Sequence, residues 1–235
     1  MILFPIRLYL WSKTVGFCGI INAIQSVTLT HSHLGHVDGI GLFGKEVMGI
    51  KNGVSLYTNK SVLDRLERNS TLYPFHPILV ESGKVVCIGP GITMEFLRIP
   101  HRDFEIGETH AIVCRGPEKS FLFLPDHDTW SETLQSQGQD SIRSWIHSLR
   151  VDFALIDGTF FVHDEVSEIR DDFKSIPHPP IAETLELLGK KTENDPDIYF
   201  IHLNHTNSVL SDSRMKEEVT RLGWNIADQG ALMTL

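Results

Sequence analysis

The segment Thr30-His31-Ser32-His33-Leu34-Gly35-His36 places three histidines within six residues, directly after Ser26 to Thr30, a run whose β-branched residues predict a strand. In an extended chain, residues i and i+2 face the same side, so His31 and His33 aim at one point just beyond the strand end. His36 starts a turn that continues through Val37-Asp38-Gly39, and a chain doubling back there brings its imidazole to the same place. Three neutral nitrogen donors with open positions left over are what a catalytic zinc or iron ion requires.

Outward from this cluster, short apolar runs alternate with helical periods, the pattern of a layered α/β or α+β domain. Further strands are expected at Val54 to Thr58, Ile78 to Val80, Lys84 to Ile88, Thr93 to Ile99, His110 to Cys114, Ser120 to Leu124, Asp152 to Ile156 and Ile198 to His202. The best helix is Asp140 to Leu149, where Ile142, Trp145, Ile146 and Leu149 form one apolar stripe. Others are a helix capped by Ser61 that carries Val62, Leu63 and Leu66, then Ile181 to Leu188 and Ser213 to Leu222.

With 235 residues, 41% hydrophobic and 22% charged, the chain has the composition of a folded globular protein and is long enough to bury a core without staples. The formal charge of -9, with no basic run, argues against nucleic acid as a partner. Cys18, Cys87 and Cys114 stand far apart, which excludes a disulfide framework and fits a reducing, cytoplasmic setting. Met1 to Leu10 is apolar but interrupted by Arg7, too short for a membrane span and without a clear cleavage site. Gly39-Ile40-Gly41-Leu42-Phe43-Gly44 matches G-x-G-x-x-G in form, yet it does not follow a strand directly and reads as close helix packing.

The histidine segment resembles the H-x-H-x-D-H signature of the metallo-β-lactamase fold. Downstream, Pro100-His101-Arg102, Leu124-Pro125-Asp126 with Thr129-Trp130, Asp157-Gly158-Thr159-Phe160, His178-Pro179-Pro180-Ile181 and Ile201-His202-Leu203-Asn204-His205-Thr206-Asn207 occur in the order of the pyrroloquinoline quinone biosynthesis protein B branch of that family. The resemblance runs from about Ile24 to the C-terminus. It implies an α+β fold, the four-layer αβ/βα sandwich. It also implies metal ligands at His31, His33, His36, His101, Asp126 and His202, with Asp126 bridging two ions and also orienting the attacking water. His205 and Asp157 are the expected proton carriers. Arg102 and His178 are expected to line the substrate site, Arg102 by a bidentate pair with a carboxylate. His76, His110, His127, His147 and His163 carry no motif and read as ordinary residues.

Two departures from the family pattern stand out. Gly35 occupies the position where most of these hydrolases have an Asp on the second metal, so that site is expected to be weakened or lost. Only 30 residues precede His31, where the family has its opening strands. Residues 1–23 therefore read as an atypical, truncated or mis-started segment that leaves a sheet edge uncovered, and 24–235 as the metallo-β-lactamase-like domain. The expected activity is metal-dependent hydrolysis of a small-molecule substrate, with zinc first, iron or manganese as alternatives, and one or two ions. The alternatives are iron-dependent oxygen chemistry on a tyrosine-like substrate, implied by the named branch, and a degenerate non-catalytic binding protein. Neither a nucleic acid nor a membrane is expected as a partner, and a homodimer is left open.

Overall fold

The computed structural model describes residues 2–3, 24–50, 53–102, 107–167, 176–228 and 235. They fall into two compact units, Met1–Lys84 with Asp103–Thr109, and Val85–Arg102 with His110–Leu235.

In the first unit, β1 (Ile2–Leu3), β2 (Ser26–Thr28), β3 (Val54–Thr58) and β4 (Phe75–Leu79) lie side by side in that order, every pairing parallel. Parallel neighbours require a crossover. From β2 to β3 it contains α1 (Leu34–Val37) and a 3-10 turn at Asp38–Phe43, and from β3 to β4 it contains α2 (Lys60–Arg68). The cap of α2 is Asn59, not Ser61: the Asn59 side chain accepts from Val62 N at 3.0 Å, and the Ser61 hydroxyl donates to that same oxygen at 2.8 Å. Val62 and Leu66 join Val27, Leu29, Phe43, Leu56 and Phe75 in one apolar core. On the edge expected to be uncovered, Ile2–Leu3 pairs with Ser26–Val27. Residues 4–23 of the N-terminal segment lie outside the described residues.

The second unit carries a seven-stranded sheet. Its strands are β5 (Val85–Gly89), β6 (Ile92–Ile99), β7 (Thr109–Arg115), β8 (Ser120–Leu124), β9 (Phe153–Asp157), β10 (Asp197–Ile201) and β11 (Asn225–Ile226). Their spatial order is β11-β10-β9-β8-β7-β6-β5. The pairs β5/β6 and β7/β8 are antiparallel, whereas β8, β9, β10 and β11 run parallel. Among the described residues the unit also has the helices α3 (Trp130–Ser136), α4 (Ile142–Leu149), α5 (Ile181–Leu188) and α6 (Ser213–Arg221). Leu122, Leu124, Ala154, Ile156, Ile198 and Phe200 pack with Trp130, Trp145, Ile146, Ile181 and Leu185 in its core.

Periodicity in the sequence misses α3 because that helix has no apolar stripe; Trp130 and Thr133 are its buried side chains. The usable signal lies at its start, where Thr129 accepts from Glu132 N in the spacing of a capping box. Helix α4 begins two residues later than expected because Ser141 and Ser144 cap each other's backbone amides.

Parallel pairing also sets the strand ends level with one another. Leu124 lies opposite Ile156, and Ile201 opposite Asp157. The residues just past the carboxyl ends of β8, β9 and β10 therefore emerge at one end of the sheet, the usual place for a site in a parallel arrangement. Gly158 makes the middle exit possible. A Cβ there would lie 2.9 Å from Phe200 Cβ and 3.0 Å from Ile201 O, both firmly placed atoms. Gly158→Ala is expected to destabilise the protein by about 1–3 kcal/mol through overpacking. Urea unfolding would measure it, and an unchanged midpoint would show that the strand ends have more room than this.

Candidate functional site

In the first unit the three histidines converge by local geometry alone. His33 precedes the first turn of α1, and its carbonyl accepts from His36 N at 2.9 Å and Val37 N at 3.2 Å, so the chain folds back as the spacing suggests. The ring centroids of His31 and His33 are 4.6 Å apart, and those of His31 and His36 are 4.3 Å apart. Thr30 Oγ1 lies 2.9 Å from His31 Nδ1, and Asn59 Nδ2 reaches the Thr30 carbonyl at 3.5 Å. Gly35 sits in α1 with an ordinary backbone angle, and a Cβ added to it meets nothing within 4 Å. Neither space nor conformation demands a glycine there.

In the second unit, Asp126 beyond β8, Asp157 at the end of β9, His202 beyond β10 and His178 form a second cluster. Each offers one ligand atom, and these atoms all lie within 4.8 Å of one another. Both carboxylates are buried. His178 Nδ1 donates to Asp157 Oδ2 at 2.6 Å and lies 3.6 Å from Asp126 Oδ1. His202 Nδ1 lies 3.1 Å from Asp126 Oδ1 and 2.8 Å from Thr159 Oγ1. Thr159 donates to Asp157 Oδ1 through its amide at 2.9 Å and its hydroxyl at 2.7 Å. His202 has φ 62°, a left-handed conformation that costs a non-glycine residue about 1 kcal/mol and is held here by its surroundings.

Electrostatics reflect this packing. Burial alone would lower His178, but the Asp157 and Asp126 carboxylates outweigh it and push it up to about 9. Burial would raise Asp157, yet the adjacent His178 keeps it below the usual carboxylate range. His127, next to Asp126, is fully buried, with its ring edge-on to Trp130 and Nδ1 2.9 Å from Thr133 Oγ1; burial pushes it down to about 4 and keeps it neutral.

His101 belongs to the same unit and has a carboxylate of its own. Asp128 Oδ1 lies 3.1 Å from His101 Nδ1 and accepts from Arg102 N at 2.8 Å, while Asp128 Oδ2 accepts from Arg102 Nε at 2.7 Å. A carboxylate on one ring nitrogen leaves the other as the available donor, the usual support for a metal-binding histidine. Sequence reasoning misses Asp128. Its alternation with Asp126 is visible, but nothing local shows that Arg102 and His101 meet it.

Both donor sets, three imidazoles in one unit and two carboxylates with two imidazoles in the other, have the chemistry of ligands for a borderline divalent ion. Of the residues named from sequence, His31, His33 and His36 meet in the first unit, and Asp126, Asp157, His178 and His202 meet in the second. Arg102, expected to hold a substrate carboxylate, has Nε engaged by Asp128 while its side chain is 63% exposed. His205 is exposed, with Nδ1 3.2 Å from Asn204 Oδ1, and is not part of the cluster.

The family profile described as Beta-lactamase superfamily domain matches residues 20–203. A search of curated proteins finds no match. Among solved structures, the chain is similar to zinc-bound PqqB from Methylobacterium extorquens, with TM-score 0.66 and 20% identity, covering 90% of this chain and 73% of that one. It is similar to an isothiocyanate hydrolase from Delia radicum gut bacteria, with TM-score 0.58 and 16% identity over 93% and 79% of the two chains. A diphosphatase of the PhnP family gives TM-score 0.56 and 16% identity over 88% and 69%. At these identities the likeness is one of fold.

Two predictions come from this geometry. Burial would raise Asp128, but His101 and the Arg102 amide and guanidinium hold its carboxyl well below the usual range. Its stabilisation is therefore complete above the unfolded value of about 3.9 and is lost as pH falls below it. Asp128→Asn is expected to cost about 1–2 kcal/mol at pH 7 and less below about pH 4, measured by urea unfolding at both. Gly35→Asp is expected to change stability by less than about 0.5 kcal/mol, because the side chain enters open space. A larger loss by thermal unfolding would contradict the backbone geometry of α1.

Proposed function

The chain belongs to the metallo-β-lactamase superfamily, and from that premise we propose that it is a metal-dependent hydrolase of a small-molecule substrate. The observation that carries the reading is the pair of buried carboxylates, Asp126 and Asp157, gathered with His178 and His202 at the ends of three parallel strands. A purely structural role would be met more cheaply by apolar residues, since buried ionic groups rarely add net stability. The residues proposed as metal ligands are His31, His33 and His36 in the first unit and His101, Asp126 and His202 in the second, with zinc first and iron or manganese as alternatives.

When bound, the ion supplies Lewis acidity and a water whose pKa is lowered toward neutrality. The chain supplies the rest. Asp126, held beyond β8, orients the attacking water by accepting its hydrogen bond. Asp128 fixes the ring of His101. Asp157 has its carboxylate committed to His178 and Thr159, so the exposed His205 is the residue assigned to exchange protons with solvent. Arg102 keeps part of its guanidinium exposed, where it would meet an anionic group on the substrate.

The test is the metal content of the protein as purified, before any ion is added, and then hydrolysis of chromogenic esters and phosphodiesters. Zinc at one or two ions per chain is expected, with activity that a chelator abolishes and zinc restores. Iron with oxygen consumption on a tyrosine-like substrate would replace this reading with oxygenase chemistry. Absence of any metal, with no gain on reconstitution, would point to a non-catalytic binding protein.

A further inference from the structure

The hydroxyl of Thr159 stands between a carboxylate and an imidazole, 2.7 Å from Asp157 Oδ1 and 2.8 Å from His202 Nδ1. We propose that Thr159 is a positioning residue for His202: its oxygen accepts from His202 Nδ1, which fixes the ring tautomer and leaves Nε2 as the nitrogen that meets the metal ion. The inference rests on the metal-dependent reading above, in which His202 is a ligand, and adds the residue that prepares it.

The direction of each hydrogen bond follows from what the groups have to give. Asp157 Oδ2 accepts from His178 Nδ1 at 2.6 Å, and Asp157 Oδ1 accepts from the Thr159 amide at 2.9 Å and from the Thr159 hydroxyl at 2.7 Å. A hydroxyl carries one proton, so with that proton on Asp157 its oxygen can only accept. His202 Nδ1 is then the donor across the 2.8 Å contact. A neutral imidazole has one N–H, and with the proton on Nδ1 the lone pair lies on Nε2. Asp126 Oδ1, 3.1 Å from the same ring nitrogen, favours the same tautomer. Asp126 is itself assigned to the ion, which draws on the same carboxylate charge, whereas the Thr159 oxygen serves the ring.

The backbone holds the hydroxyl where this requires. Thr159 is buried, and its carbonyl accepts from Asn204 N at 3.0 Å and Asn207 Nδ2 at 3.2 Å. Asn207 Nδ2 also donates to the Gly158 carbonyl at 2.7 Å, and Asn207 Oδ1 accepts from Val209 N at 3.0 Å. The turn after β9 is thereby tied to the segment after β10 that carries His202. His202 has a left-handed backbone angle, φ 62°, which its contacts must sustain. The support therefore reaches the ring from a neighbouring strand end and needs nothing from position 35.

Two substitutions separate the hydroxyl from the packing of the side chain. Thr159→Val keeps the shape and removes the oxygen, and Thr159→Ser keeps the oxygen and removes the methyl group. Zinc affinity of the full-length protein is measured by competition with a chromophoric chelator, and the visible absorption of the cobalt form is the second readout. Thr159→Val is expected to weaken zinc binding about 10–100-fold and to shift the cobalt bands, whereas Thr159→Ser should stay close to the wild type in both. The reverse order, with serine weak and valine normal, would overturn the proposal and assign Thr159 to packing. Wild-type affinity and spectrum in both variants would overturn it as well, with the metal-dependent reading left standing. A wild type that takes up no zinc would overturn that reading and this inference together. Should Thr159→Val not fold, the crystal structure of the zinc-loaded wild type decides. An ion within about 2.0–2.2 Å of His202 Nε2, with Nδ1 still on the Thr159 hydroxyl, supports the assignment, and an ion on Nδ1 refutes it.

Discussion

Parallel pairing of β8, β9 and β10 is the constraint on which the second cluster depends. Parallel strands share a direction, so their carboxyl ends cannot be scattered, and side chains just beyond them emerge as neighbours. Asp126, Asp157 and His202 come from positions far apart in the chain, yet the register of Ile201 opposite Asp157 and Leu124 opposite Ile156 brings them to one place. The apolar runs within those strands drive the arrangement, because they are buried by helices and pull the polar ends into line as a consequence.

That arrangement has a cost, and the local structure shows how it is met. Two carboxylates at neighbouring strand ends repel each other and lose water on burial. Thr159 supplies an amide and a hydroxyl to one of them, and His178 supplies a proton at 2.6 Å. Asp128 performs a parallel task for His101 and Arg102. The pattern is one of carboxylates that orient imidazoles, which is how proteins prepare nitrogen donors for metal ions. Gly35 is informative against this background. Its surroundings would accept a side chain, so the missing carboxylate is not forced by packing.

His178 and Asp157 illustrate how chemistry is assigned by neighbours more than by residue type. His178, among prolines, reads as a lining residue when taken alone, and Asp157 before Gly-Thr reads as a turn former. Brought within one hydrogen bond of each other and beside Asp126, they become the charged centre of the unit. His205 moves the other way: three residues from His202 in the chain, it faces solvent.

What the sequence alone determined rests on local periodicity and spacing. The strands β2 to β10, the apolar stripe of α4, the limits of α5 and the His31–His33–His36 turn are legible because each depends on residues a few positions apart, and the superfamily resemblance because several such short motifs occur in order. Its local errors were local too: Asn59 took the cap from Ser61 because its oxygen reaches Val62 N, and α3 was hidden by its polar face. Only the tertiary structure decided that Asp128 serves His101 and Arg102, that Asp157 and His178 form a pair, and that Gly158 must be glycine. Those facts rest on contacts between residues tens of positions apart, set by strand register and close packing. No short window of sequence contains that information.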